Sequence, residues 1–265
     1  MKIGFIGLGN MGGAIIGGIV KSGLFKPEDI IGFDKSPEMA ASARDRFQIS
    51  IAKDNTDLVK KVDILLLAVK PVFAKEVISE IEKNTSDKTL IISIMAGKTI
   101  KFLEEAFGSS KAKIIRCMPN TPALVGEGCT ALSPNNNVSS DEIQLALKIF
   151  NSFGKASVVP ERLMDAVVAA SGSSPAFVFM FIEALADEVV EAGMPRNQAY
   201  MFVAQTVLGS AKLMLDTGRL PADLKDMVCS PGGTTIEGVR VLEEKGFRGA
   251  IMDAAKAVWE KSAKL

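Results

Sequence analysis

Histidine is absent from all 265 residues. Every mechanism that relies on an imidazole as base, acid or metal ligand is thereby excluded. Cysteine is sparse: Cys117, Cys129 and Cys229 are widely spaced, odd in number and form no CxxC pair. They read as reduced thiols in a reducing compartment, and without histidine they give a zinc ion none of its usual ligand patterns. Aromatic residues make up 6% of the chain, too few for a base-stacking surface. Neither sign of charge dominates, with 31 Lys plus Arg against 31 Asp plus Glu. No net field draws the protein to nucleic acid or to an anionic membrane. The apolar start is short and interrupted by glycines, unlike a signal peptide. The most apolar later stretch, 163–182, contains Asp165 and the break Ser171-Gly172-Ser173-Ser174-Pro175, so it reads as a poor membrane span. A cytoplasmic protein is expected.

What is present is a large apolar fraction, 48%, in two patterns. Up to about residue 160, strand and helix signals alternate. Lys2 to Ile6 is a short buried strand, and Met11 to Lys21 an apolar helix stopped by Gly23. Asp29 to Phe33 is a second strand. The runs 63–69 (DILLLAV) and 89–94 (TLIISI) are continuous and β-rich, as in parallel strands covered on both faces. Strands 112–117 and 155–159 flank a helix opened by the capping box Ser139-Ser140-Asp141-Glu142. This alternation predicts an α/β fold, a doubly wound parallel sheet of Rossmann type over 1–160. From 161 to 265 strand signals vanish. Helices are expected over 162–193 with a break near Pro175, 195–217, a short piece from Pro221, 234–245 and 247–263. The run Phe177 to Ile182 is apolar all round, so an all-α C-terminal domain that dimerises is expected.

Gly7-Leu8-Gly9-Asn10-Met11-Gly12 is a GxGxxG that follows a strand and opens a helix, the context of a dinucleotide fingerprint. Gly7 permits the tight turn, Gly9 lets backbone approach a pyrophosphate, and Gly12 lets helix and strand pack closely. The second strand ends in Asp34-Lys35-Ser36. An acid at this place binds the adenosine ribose and favours NAD; the lysine and serine suit a 2′-phosphate; Asp34 can also point away and cap the turn. Ala68-Val69-Lys70-Pro71 ends a strand at the carboxyl edge, where open α/β sheets bind ligands. Asn120 and Thr121, in the loop Met118 to Pro122, either frame a nicotinamide or cap a turn. Ser230-Pro231-Gly232-Gly233-Thr234-Thr235 precedes a helix, and Thr234 with Glu237 spells a capping box. Two glycines and free amides at a helix start suit a substrate carboxylate, with the Thr235 hydroxyl beside it.

These segments resemble the pyrroline-5-carboxylate reductase family. The stretches that carry the resemblance are IGFIGLGNMGGAI at the start, AVKP at 68–71, RCMPNTPALVGEG at 116–128, SGSSPAFVF at 171–179, AGMPRNQAY at 192–200 and LKDMVCSPGGTTIEGVRVLEEKGFRGA at 224–250. The resemblance implies reduction of Δ1-pyrroline-5-carboxylate to L-proline by NADPH, with NADH as alternative. It implies an intertwined homodimer, rings of dimers, and a substrate pocket at the dimer interface. It assigns the phosphate loop to Gly7, Leu8, Gly9, Asn10, Met11 and Gly12, and adenosine contacts to Lys35, Ser36 and Asn55. Inner cofactor contacts fall to Ala68, Val69, Lys70, Pro71, Met95 and Ala96. The substrate carboxylate and ring nitrogen fall to Gly233, Thr234 and Thr235, with Thr235 catalytic. Asp34 departs from the neutral residue that family pattern leads one to expect. Two rivals stand beside this reading. A β-hydroxyacid dehydrogenase shares the two-domain plan, but its GxGxxxK helix lysine is replaced here by Val178. A nucleotide-sensing regulator would not need the Ser230–Thr235 segment.

Overall fold

The computed structural model describes residues 1–264, and these divide into two compact units. The first, the Rossmann unit, comprises Met1–Gly172 and the residues from Trp259 onward. Its strands are β1 (Ile3–Ile6), β2 (Ile30–Phe33), β3 (Ser50–Ile51), β4 (Ile64–Leu67), β5 (Leu90–Ser93), β6 (Lys113–Met118), β7 (Gly128–Pro134) and β8 (Gly154–Val158). They lie in the order β3-β2-β1-β4-β5-β6-β7-β8. The first six are parallel, in the doubly wound Rossmann order, with the strand order reversing between β1 and β4. The helices α1 (Asn10–Ser22), α2 (Pro37–Phe47), α3 (Asn55–Val59), α4 (Ala74–Ile81), α5 (Ile100–Phe107) and α6 (Ser140–Asn151) cover the sheet.

Strand alternation explains the apolar runs. In β4, Ile64 and Leu66 face one core with α1, α2 and α6, while Leu65 and Leu67 face the other with α3, α4 and α5. A strand buried on both faces must be apolar throughout, and each such leucine contributes about 1.5–3 kcal/mol. The α6 capping box forms as its sequence predicts, with Ser139 and Glu142 bonded reciprocally.

β7 is a strand that the sequence reading did not assign, and it runs antiparallel to β6. Its sequence, GCTALSP, has few strand-favouring side chains. The connection over 119–127 is shorter than the dozen or so residues a parallel crossover needs, so the chain turns back on itself. The sheet is therefore mostly, not wholly, parallel.

After β8 a short 3₁₀ turn, Glu161–Leu163, leads into α7 (Met164–Val167) and a π-helical stretch, Val168–Ser173. The expected break near Pro175 is absent. Proline lacks an N–H but fits the first turn of a helix, so α8 (Ser174–Glu191) begins where the π stretch ends. The continuous helical span Glu161–Glu191 is long and apolar enough to cross a membrane, by length and composition alone. Near the chain end, Ser262 Oγ donates to Asp165 Oδ1 at 2.7 Å, fastening the last helix back onto the Rossmann unit.

The second unit, Ser173–Val258, is helical. It holds α8, α9 (Arg196–Thr217), α10 (Pro221–Val228), α11 (Thr234–Glu244) and most of α12 (Phe247–Ser262). Its core is small: Ala186, Ala199 and Val203, with Ile182, Val189, Val190 and Met194 packed around them. No residue of α10, α11 or α12 is buried. The run expected to be buried all round is instead open in the single chain, with Phe179 65% and Met180 68% exposed.

Candidate active site

The turn after β1 is shaped by its glycines. Gly7 takes φ +97°, and a Cβ there would lie 2.6 Å from the Ala68 carbonyl oxygen. The fingerprint and the Ala68–Pro71 segment are thus adjacent, across the strand pair at the reversal point. A Cβ on Gly12 would lie 2.4 Å from the Gly7 carbonyl oxygen, so α1 packs directly on the turn. Gly9 differs: a Cβ there would meet nothing within 4 Å. It opens α1 with no side-chain cap, so the first-turn N–H groups have no capping partner, as suits an anion site at a helix start. Asn10 is exposed and Met11 half-buried, whereas the Leu8 side chain is buried against Gly32.

Asp34 holds the turn at the end of β2. Its Oδ2 accepts from the Leu8 N–H at 2.8 Å, and its Oδ1 accepts from the Ser36 N–H at 2.9 Å. The carboxylate ties the fingerprint turn to the loop after β2, which is the turn-capping role. Lys35 is exposed, its Nζ 3.3 Å from Glu76 Oε1. Ser36 caps α2, accepting from the Met39 N–H and donating to Glu38 Oε2. A cavity of about 400 Å³ opens here, lined by Phe33, Asp34, Lys35, Pro37, Arg44 and Ile51, among others. Asn55 begins α3 and is buried; its Nδ2 donates to Glu80 Oε2 at 2.7 Å, while its Oδ1 has no partner. An orphaned buried oxygen costs about 1–3 kcal/mol unless a ligand or water meets it.

Ala68 and Val69 follow β4 half-buried, Lys70 is exposed, and Pro71 starts a 3₁₀ turn that leads into α4. Met95 lies in the sheet's second core, so only its backbone is available to a ligand; Ala96 beside it is exposed. Gly9, the unpaired Asn55 oxygen, Lys35, Ala68–Pro71 and Ala96 all belong to one edge of one sheet. That arrangement fits a dinucleotide: open amides for a pyrophosphate, polar groups for an adenosine and its phosphate, and half-buried backbone for the far ring.

In the helical unit, Gly232 takes φ +69° and the Gly233 N–H donates to the Ser230 carbonyl at 3.0 Å. A Cβ on Gly233 would lie 2.3 Å from Ser230 Oγ. Gly232 is therefore required by the turn itself, and a side chain at Gly233 would have to displace the Ser230 hydroxyl. The expected Thr234–Glu237 capping box does not form. The turn brings the helix start one residue forward, so Gly233 is the cap and Thr234 the first residue of α11, with no side-chain cap bond. Glu237 pairs with Arg240 instead, Nε to Oε2 at 3.0 Å. The amides of the first turn are left uncapped, and Thr234 and Thr235 are both exposed.

Two further residues have burial and partners that the sequence reading did not give. Arg116 of β6 is buried, with Nη1 2.9 Å from Glu161 Oε1, and that same oxygen accepts from the Ile100 N–H. Asn120 is also buried, its amide bonded at both ends to other segments of the chain. Among the described residues, no group of three Cys, Asp or Glu is placed to hold a metal.

Comparison with known proteins accounts for both units. Residues 161–265 match the family described as pyrroline-5-carboxylate reductase dimerisation, and residues 2–97 that described as NADP oxidoreductase, coenzyme F420-dependent. Pyrroline-5-carboxylate reductase of Escherichia coli (strain K12) is 52% identical over 264 residues, 100% of this chain and 98% of that protein. The chain belongs to the pyrroline-5-carboxylate reductase family. Among solved structures of pyrroline-5-carboxylate reductases, that of Coxiella burnetii shares 32% identity at a TM-score of 0.93. It covers 99% of this chain and 97% of its own. The pyrroline carboxylate reductase of Plasmodium falciparum, solved with NADP bound, is 37% identical at a TM-score of 0.88, with the same two coverages. The whole apolar span Glu161–Glu191 lies within the stretch matched by the dimerisation family.

Proposed function

We propose that this protein reduces Δ1-pyrroline-5-carboxylate to L-proline, with NADPH as the reductant and NADH as the weaker alternative. The observation that carries the reading is the full-length identity to a pyrroline-5-carboxylate reductase, joined to two separate anion-ready helix starts, one at Gly9 and one at Gly233. Residues 1–160 serve the cofactor, and residues 161–265 serve substrate and dimerisation. Gly7, Leu8, Gly9, Asn10, Met11 and Gly12 hold the pyrophosphate, chiefly through backbone. Lys35, Ser36 and Asn55 hold the adenosine end, and Ala68–Pro71 with Met95 and Ala96 the nicotinamide end.

When bound, the reduced nicotinamide supplies the hydride for the carbon of the C=N bond. The chain's own task is to bind, orient and exclude water. Gly233 and Thr234 offer N–H groups to the substrate carboxylate. The Thr235 hydroxyl accepts from the protonated ring nitrogen, then donates to the lone pair that develops there as the nitrogen becomes an amine. The cation arises by protonation from solvent, so the absence of histidine is no obstacle. Alignment supplies most of the rate.

The preference for NADPH rests on Asp34. With both carboxylate oxygens bonded to backbone N–H groups, it serves the turn, and Lys35 is left exposed for a 2′-phosphate. The exposed apolar face of α8 is met by a second copy of the chain rather than by lipid, giving a homodimer in the cytoplasm that assembles into rings of dimers. A spectrophotometric assay with the imine and each reduced nicotinamide tests the whole reading. Oxidation of the nicotinamide should require the imine, and Lys35→Ala should raise KM for NADPH about tenfold with little change for NADH. Activity on hydroxyacids with none on the imine would refute the proposal.

A further inference from the structure

Pro175, the second residue of α8, has no N–H. In an α-helix that N–H would go to the carbonyl four residues earlier, which is that of Ser171. Around this point Val168–Ser173 is wound as π-helix, a form found mostly as single turns and often at functional sites. The Ser171 carbonyl accepts instead from Asn120 Nδ2, at 3.1 Å. The other end of that side chain, Oδ1, accepts from the Cys129 N–H at 2.8 Å. Only one orientation of the amide serves a carbonyl and an N–H together, so the assignment of its two ends is fixed. Asn120 is 8% exposed and stands between Pro119 and Pro122, in the loop that follows β6 at the sheet's carboxyl edge. One buried amide therefore joins that loop, the start of β7 and the π turn with which the Rossmann unit ends at Gly172.

We propose that Asn120 is a positioning residue for the reduction. Its amide substitutes for the N–H that Pro175 lacks and pins the π turn to the edge of the sheet that binds the cofactor. This rests on the reductase reading above. The proline removes the α-helical donor to this carbonyl, and the asparagine supplies one. The two residues form a coupled pair although they are far apart in sequence, and the coupling is what a test must find.

Asn120→Asp keeps the shape and the acceptor for Cys129 but removes the donor and sets an oxygen against the Ser171 carbonyl. Pro175→Ala restores a helical N–H for that carbonyl, which makes the Asn120 donor dispensable. The two variants and their combination are to be compared with the full-length wild type. The readouts are steady-state reduction of the imine, titration with NADP⁺ and amide hydrogen exchange over 166–178. We expect Asn120→Asp to lower kcat about tenfold, leave NADP⁺ affinity within about twofold, and speed exchange in the π turn about tenfold. In the Pro175→Ala background the same change should cost less than about threefold in kcat. An equal loss in both backgrounds, or no change in kcat and exchange, would overturn the proposal. If Asn120→Asp does not fold, the double variant decides: recovery of a folded, active protein supports the coupling, and failure to fold there too overturns it. A wild type inert toward the imine would sink the reductase reading, while the exchange arms would still decide whether Asn120 pins the turn.

Discussion

Leu65, Leu66 and Leu67 of the Rossmann unit are wholly buried, whereas Phe179, Met180, Leu215 and Met252 of the helical unit are each more than 60% exposed. Both regions are rich in apolar side chains, yet only one has a core that hides them. Two layers of helices on a sheet give every strand residue a partner within the same chain. Five helices over Ser173–Val258 do not, and monomeric proteins rarely leave contiguous apolar patches of that kind open. Apolar composition alone therefore does not say whether a region hides its side chains within its own chain, and the structure does. In the first unit the cover is the chain itself, and in the second the single chain supplies little of it.

The sharpest way to break this contrast is to charge the open face. Phe179→Glu should turn a dimer into a monomer in sedimentation, with loss of more than about a hundredfold in imine reduction, because burial of such a side chain is worth about 2–3 kcal/mol in each copy and a buried charge costs more. NADP⁺ affinity, a property of the other unit, should stay within about threefold. A charged variant that remains an active dimer would mean the exposed face is not the interface.

The second test separates glycines that serve the fold from one that serves the ligand. Gly7→Ala meets both a positive φ and the Ala68 carbonyl, and should cost about 2–4 kcal/mol, lowering Tm by roughly 5–15 °C. Gly9→Ala adds its methyl to open space. It should leave Tm within about 2 °C and weaken NADPH binding by about tenfold or more. If both variants lose only stability, the open space at Gly9 is not a phosphate cradle.

Thr235→Ala extends that separation to the helical unit. Because Gly233 and not a threonine caps α11, the hydroxyl is not needed for the helix. The variant should melt like the wild type while kcat/KM for the imine falls about ten- to a hundredfold, with kcat affected as well as KM. A destabilised protein with normal kinetics would return Thr235 to a structural role.

The smallest effect belongs to Glu142, in the well-packed unit. Partial burial raises its carboxyl pKa, but bonds to Lys113 and to the Ser139 backbone and hydroxyl outweigh this and leave it below the usual value. A carboxylate depressed in the folded state adds stability above its unfolded pKa and loses it as pH falls through the folded one. Glu142→Gln should cost about 0.5–1.5 kcal/mol at neutral pH and flatten the fall in Tm below about pH 4.5. An unchanged acid limb would mean the pair with Lys113 is too solvated to matter.

Much of the fold is legible because local chemistry and tertiary structure agree. The ILLL and LIIS runs, the GxGxxG turn and the Ser139 capping box each state their structure in a few residues. β7 is illegible because its pairing, not its side chains, makes it a strand. The Thr234 box looked complete in sequence, yet Ser230 and Gly233 close a turn that moves the helix start by one residue. The Asp34 carboxylate carries two meanings on paper, and its distances to Leu8 and Ser36 show that it caps the turn. Asn120 read as a nicotinamide contact or a turn cap, and its two bonds could not be foreseen because their partners are 9 and 51 residues away.

The latch from Ser262 to Asp165 bears on how such chains can be recombined. The polypeptide leaves the Rossmann unit at Gly172 and re-enters it at Trp259, so the helical unit is an insert with two junctions rather than a tail with one. A crossover at a single point near residue 172 takes Asp165 from one parent and Ser262 from the other, and so parts the latch. Chimeras of family members should therefore be spliced twice, around 172 and again around 259, carrying the final turn of α12 with the sheet it fastens to.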